Sequence, residues 1–184
     1  VILSKMGEID KQQWKKMSID PSINQILIDI CIQSITQILD PKIRKHGLKM
    51  LHNLFSNNTN LQKILQTKHN LLAEVVSLVI GGNSESPSLD MKLRIHATKI
   101  LELVAARFRQ LCHDCNATRA LILALQEAPD QKAETVHGQL LVQIAASALR
   151  DLILNKRGEI EDGLDWNTLR EISKGKGVAA RPFV

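Results

Sequence analysis

Two ten-residue stretches set 50 positions apart carry the same side chain at five places and a similar one at three more. Lys42-Ile43-Arg44-Lys45-His46-Gly47-Leu48-Lys49-Met50-Leu51 aligns without a gap on Lys92-Leu93-Arg94-Ile95-His96-Ala97-Thr98-Lys99-Ile100-Leu101. Lys42/Lys92, Arg44/Arg94, His46/His96, Lys49/Lys99 and Leu51/Leu101 are identical, while Ile43/Leu93, Gly47/Ala97 and Met50/Ile100 exchange like for like. Each stretch lies just after a proline, Pro41 or Pro87, and a third proline, Pro129, continues the spacing at intervals of 46 and 42. Duplication at such a period marks a chain built from stacked supersecondary units. One pair of helices cannot bury its apolar face alone, so neighbouring units must complete the core.

The apolar residues recur at three-to-four spacing and strand signals are almost absent, which predicts amphipathic helices throughout. Asp20 and Pro21 read as an N-cap and first helical position, starting a helix that runs to about residue 39. Asp40-Pro41 starts the next, through residue 55, followed by a polar loop over 56–60. Further helices are expected over 61–66, 70–80 (stopped by Gly81-Gly82), 89–111, 117–127 (broken at Pro129) and 132–155, with a short one over 166–172. With only two Trp, three Phe and no Tyr, aliphatic side chains must fill the core. Thin layers of helix suit that supply better than a β-sandwich. At 184 residues the chain fits one domain or one array of small repeats.

Gly47 and Ala97 occupy a position where a small side chain lets a second helix approach, with Leu51 and Leu101 one turn on. A glycine inside a helix costs about 0.5–1 kcal/mol relative to alanine, a cost tolerated where close packing requires it. Gly47, Leu51, Asn53 and Leu54 match the third helix of armadillo units, and Ala97, Leu101 and Val104 repeat the pattern with Leu103 in place of the asparagine. A third copy reads either as Ala145, Leu149, Asp151 and Leu152 at an offset of 48, or as His137-Gly138 at an offset of 41. Over residues 19–155 the chain therefore resembles the armadillo/HEAT superfamily of helical repeats. The resemblance implies an all-α, right-handed superhelix of about three units, 19–55, 59–111 and 116–155, with the long proline-preceded helices lining its concave side. Residues 1–18 would form an N-terminal segment or a partial first helix. Residues 156–184 would form an acidic linker, a short helix and a basic tail. The resemblance also implies that Asn53 bonds the backbone of an extended peptide, although only one unit carries the asparagine.

Charge is unevenly distributed. The net value is +5, yet residues 41–73 hold six Lys or Arg and no acid, whereas residues 158–165 hold four acids and no base. Lys42, Lys45, Lys49 and His52 fall at spacings of 3, 4 and 3, one stripe of a helix, and Lys92, His96 and Lys99 repeat the stripe. Stacked as equivalents, these helices would form a basic ladder with rungs about 8–10 Å apart. A solvated helix face accounts for the same residues. Their recurrence in two units favours a groove for an acidic or phosphorylated polypeptide segment, formed by Lys42, Lys45, Lys49, His52, Asn53, Lys92, His96 and Lys99. The alternative is a module that grips a nucleic-acid backbone through the same ladder. The small net charge and the near absence of aromatics for stacking on bases weigh against it.

No Gly-rich phosphate loop, His-Glu-x-x-His or Gly-x-Ser-x-Gly occurs. Cys112-His113-Asp114-Cys115 lacks the second ligand pair of a zinc site and a preceding strand, and reads as a turn between helices. The expectation is a non-enzymatic scaffold or adaptor that needs no cofactor or metal. No apolar run reaches the roughly 18–20 residues of a membrane span. Three cysteines suggest no disulfide framework, so the expected compartment is cytoplasmic or nuclear. The chain opens on Val1, as a piece of a longer protein would.

Overall fold

A computed structural model describes residues 21–36, 40–57, 69–81, 87–131 and 136–154, and these contain seven helices and no strand. In chain order they are α1 (Pro21–Thr36), α2 (Pro41–Asn57), α3 (His69–Ile80), α4 (Pro87–Ala105), α5 (Arg109–Asp114), α6 (Ala117–Gln131) and α7 (Val136–Ile153). The described residues are all-α, as the periodicity predicts. The expected helices over 61–66 and 166–172, the N-terminal segment and the tail lie outside the described residues.

Local chemistry accounts for several boundaries. The Asp40 carboxylate accepts a hydrogen bond from the Lys42 backbone N–H at 2.8 Å, and the Asp40 carbonyl accepts the first helical bond, from Arg44, at 3.0 Å. With Pro41 at the first helical position, this is the N-cap expected from the sequence. Gly81, at φ +88°, ends α3 in the left-handed conformation that glycine adopts without steric cost. Pro87 likewise opens α4 rather than lying in the loop before it.

Two sequence expectations fail. The helix expected over 89–111 ends at Ala105, and α5 follows after a turn in which Phe108 N–H bonds the Val104 carbonyl at 2.7 Å. No breaker residue causes this. The Arg109 guanidinium is engaged elsewhere, donating to the carbonyls of Asp151, at 3.0 Å, and Leu154 at the end of α7. Cys112 meanwhile turns into the core. The second failure is at Pro129, which does not break the chain before α7 but lies in the last turn of α6.

The helices pack in two rows. α1, α3 and α6 form one, α2, α4 and α7 the other, and each helix of the first row also packs on its sequence successor in the second: α1 on α2, α3 on α4, α6 on α7. α4 is central, touching α2, α3, α5 and α7. One continuous aliphatic core runs between the rows from Leu27 of α1 to Leu152 and Ile153 of α7. The small–Leu–aliphatic positions are buried in all three long helices: Gly47, Leu51 and Leu54; Ala97, Leu101 and Val104; Ala145, Leu149 and Leu152. The 48-residue register therefore describes α7 better than the 41-residue one, which would set half-buried Val142 against fully buried Leu101.

Gly47 illustrates why that position is small. A Cβ there would stand 2.0 Å from the Ser34 hydroxyl oxygen and 3.1 Å from Ser34 Cβ on α1. The hydroxyl cannot easily yield, because it is buried and donates to the Cys31 carbonyl at 2.7 Å. Gly47→Ala is expected to destabilise the fold by about 1–2 kcal/mol, since overpacking outweighs the better helix propensity of alanine. Adding Ser34→Gly should recover most of the loss. Urea denaturation of the single and double variants checks this, and an equally unstable double variant would argue against the contact.

Candidate functional site

α2 and α4, which carry the matching stripes, pack side by side in the second row. On α2, Lys42 is exposed at the first turn, while Lys45, Lys49, His52 and Asn53 are half-buried along the helix. On α4, Lys92, His96 and Lys99 are half-buried. His96 reports how closely they converge. Its imidazole is held down from an ordinary 6.5 to about 4, first by burial and then by the positive charges of Lys99, His52, Lys49 and Lys45. Five of the eight residues singled out from the sequence thus share one electrostatic neighbourhood. Lys42 and Lys92 are not among the charges that act on His96, and sit nearer the helix N-termini. Asn53 follows His52 on α2. The corresponding places on α4 and α7 hold Leu103 and Asp151.

Such a cluster is internally repulsive. The positive charges of Lys99, Lys49 and Lys45 all disfavour the protonated form of one imidazole, and no carboxylate among the described residues figures among the influences on it. Neutral His96 has one ring nitrogen to donate and one to accept, and becomes a double donor when protonated.

The same arrangement predicts acid sensitivity. The unfolded chain protonates His96 near 6.5 and the folded chain only near 4, so the unfolded state binds more protons between these values. The contribution of His96 to stability is complete above pH ~6.5 and declines by on the order of 2 kcal/mol as the pH falls toward ~4. His96→Gln should flatten that decline in urea midpoints measured from pH 7 to pH 4. An unaltered slope in the variant would locate the acid sensitivity in other groups.

The ladder does not continue across α7. In the 48-residue register the counterparts of Ile95, Lys99 and Glu102 are Gln143, Ser147 and Arg150, and Arg150 is paired with Asp151 at 3.3 Å. Ile95, Leu141 and Ile144 instead form a small apolar seam between α4 and α7, bordered by half-buried Met91 and Leu140. Sequence reasoning misses this seam because Ile95 stands where Lys45 stands in the first copy, and the third copy admits two registers. The basic stripe shared by α2 and α4 thus has no counterpart on α7.

Two other repeated or motif-like features are structural. Arg94 is buried and donates from Nε to the Val79 carbonyl at 3.0 Å, closing the C-terminal end of α3. Cys112 is buried with its thiol pushed up to about 12 by burial and by Cys115, so it resists forming the thiolate that metal binding or nucleophilic attack requires. His113 Nδ1 lies 3.2 Å from the Thr118 hydroxyl, and Asn116 takes a left-handed φ of 58° to join α5 to α6. Among the described residues no group of three His, Cys, Asp or Glu is placed to hold a metal ion, and no helix is long and apolar enough to cross a membrane. No family model, curated protein or solved structure matches the chain.

Proposed function

We propose that this chain is a non-enzymatic interaction module of the armadillo/HEAT type. Its second helical row forms the concave side of a right-handed superhelix of about three units, and it takes up an acidic or phosphorylated polypeptide segment across α2 and α4. The observation that carries this reading is the convergence of Lys45, Lys49 and His52 from one helix with His96 and Lys99 from the next, charges that add to burial in holding His96 near 4. Clustering like charges costs stability, and an anionic partner offsets that cost. The duplicated stripe, the two rows of helices and the buried small–Leu–aliphatic positions support the repeat architecture. Such a module would act as a scaffold or adaptor in the cytoplasm or nucleus.

The test is an array of acidic, phosphorylated and neutral peptides probed with nuclease-treated protein, with duplex and single-stranded nucleic acid as competitors. Binding to acidic or phosphorylated peptides that survives the competitors is the expected result. Binding to nucleic acid alone would replace this reading with a backbone-gripping one, and its steep salt dependence would confirm the replacement.

A further inference from the structure

The second row carries two chemistries in adjoining seams. In the 50- and 48-residue registers, Lys45 and His96 hold the places in the α2–α4 contact that Ile95 and Ile144 hold in the α4–α7 contact, where the two isoleucines pack together. Half-buried Lys45 and Lys49 of α2 and Lys99 of α4 make the first seam basic. Half-buried Met91 and Leu140 rim the second, and Val136, one turn before Leu140, is 78% exposed. A segment that covers both seams must be acidic in one part and apolar in the next.

One stretch of the chain itself has that composition, in an order that suits the fold. Residues 158–165 hold Glu159, Glu161, Asp162 and Asp165 with no base, and Trp166 follows directly, with Leu169 three places on. α7 runs parallel to α4: Leu141 and Ile144 in its first half meet Ile95 in the first half of α4, while Asp151 and Leu154 at its end accept from Arg109, just past the end of α4. The chain therefore leaves the row at its C-terminal end. In the 48-residue register Leu154 is level with Ala106, so Lys99 lies about 10 Å back along the row and about 8–10 Å to the side. The five residues from Leu154 to Glu159 span up to about 18 Å, which reaches it. Met91 lies about 22 Å back, well within the roughly 40 Å that the twelve residues to Trp166 can span. A tail returning along the row passes its carboxylates over the lysines first and brings Trp166 to the apolar rim afterwards.

We propose that residues 159–169 fold back across this row, with the carboxylates of residues 159–165 on Lys99, Lys49 and Lys45 and the Trp166 ring on Met91 and Leu140, so that the tail competes with a partner for the face. This rests on the reading of the α2–α4 face as a binding surface. Partly exposed ion pairs contribute little singly. The tether holds the acids at an effective concentration on the order of millimolar, and the indole adds apolar burial that charge alone does not supply.

A zero-length carbodiimide, which joins a carboxylate to a lysine amine, is applied to the full chain, and the monomeric product is mapped by mass spectrometry. Links from Lys45, Lys49 or Lys99 to residues 159–165 are expected, and their yield should fall at least about threefold in Trp166→Ser. A monomer without such links, or with the tail joined only to other lysines, overturns the proposal. An unchanged yield in Trp166→Ser overturns the apolar anchor. In the full chain, Glu159→Gln/Glu161→Gln/Asp162→Asn/Asp165→Asn should bind the tightest acidic or phosphorylated peptide of the array about fivefold more strongly, as expected of a tail docked about four-fifths of the time. Unchanged affinity overturns the competition. Links in a chain that binds no peptide of the array would leave the docked tail standing and refute the proposed function alone.

Discussion

Replacing Lys45 and Lys49 together by glutamate is expected to weaken binding of an acidic or phosphorylated segment by at least about a hundredfold, the equivalent of roughly 3 kcal/mol. Both lysines are half-buried and face the α4 stripe, so each loses a charge-assisted contact and adds repulsion against the ligand. Partial exposure keeps the figure well below that for fully buried pairs. The fold itself should not suffer. Neither side chain belongs to the aliphatic core, and two carboxylates beside Lys99 and His52 relieve repulsion rather than create it. Helicity should be unchanged, the melting temperature equal or slightly higher, and the His96 titration shifted upward. Lys42→Glu is the internal control: exposed and outside the group acting on His96, it should weaken binding far less. Undiminished binding by the double variant, with the His96 shift present, would show that the cluster exists but the ligand sits elsewhere.

Arg94→Ala should cost about 3–4 kcal/mol of folding stability and lower the melting temperature by about 6–12 °C. Its side chain is only 9% exposed and bonds the carbonyl of Val79, one of those left without a partner inside the last turn of α3. The guanidinium and the Asp90 carboxylate also close around Gly81, where an added Cβ would meet Arg94 Cδ at 2.8 Å and Asp90 Oδ2 at 2.9 Å. Removing the arginine strips the carbonyl of its donor and leaves a gap in the α3–α4 contact. Arg94→Met keeps the apolar stem and should lose about 2 kcal/mol, which separates the polar from the packing part. Ligand affinity at the α2–α4 cluster should be unaffected at temperatures where both variants remain folded. A loss below about 1 kcal/mol in the alanine variant would mean that water replaces the arginine.

The two residues show what a repeated sequence does and does not disclose. Arg44/Arg94 and Lys49/Lys99 are equally identical in the alignment, yet Arg94 closes a helix end inside the fold while Lys99 sits in the basic cluster. Identity between copies records a shared environment, and burial decides what that environment asks for. Helix starts are legible where the signal is local, as at Asp40-Pro41, because the cap and the proline act within one turn. The end of α4 is not, because its cause is tertiary: Arg109 reaches carbonyls 42 and 45 residues away. Pro129 misleads in the opposite direction, a strong local breaker signal past which α6 nonetheless continues to Gln131. The candidate site is legible in its residues, through spacing and repetition. Its convergence on His96 is not, since that depends on how α2 lies against α4 and on the apolar seam that takes over at α7.

Lysine footprinting tests the central claim most directly. The protein is acetylated at low reagent concentration with and without a saturating phosphorylated peptide from the array, and each lysine's modification is read by mass spectrometry. Protection of Lys45, Lys49 and Lys99, with Lys42 less affected, is the result expected of a ligand seated between α2 and α4. Protection elsewhere in the chain, with these three equally reactive in both states, would contradict it.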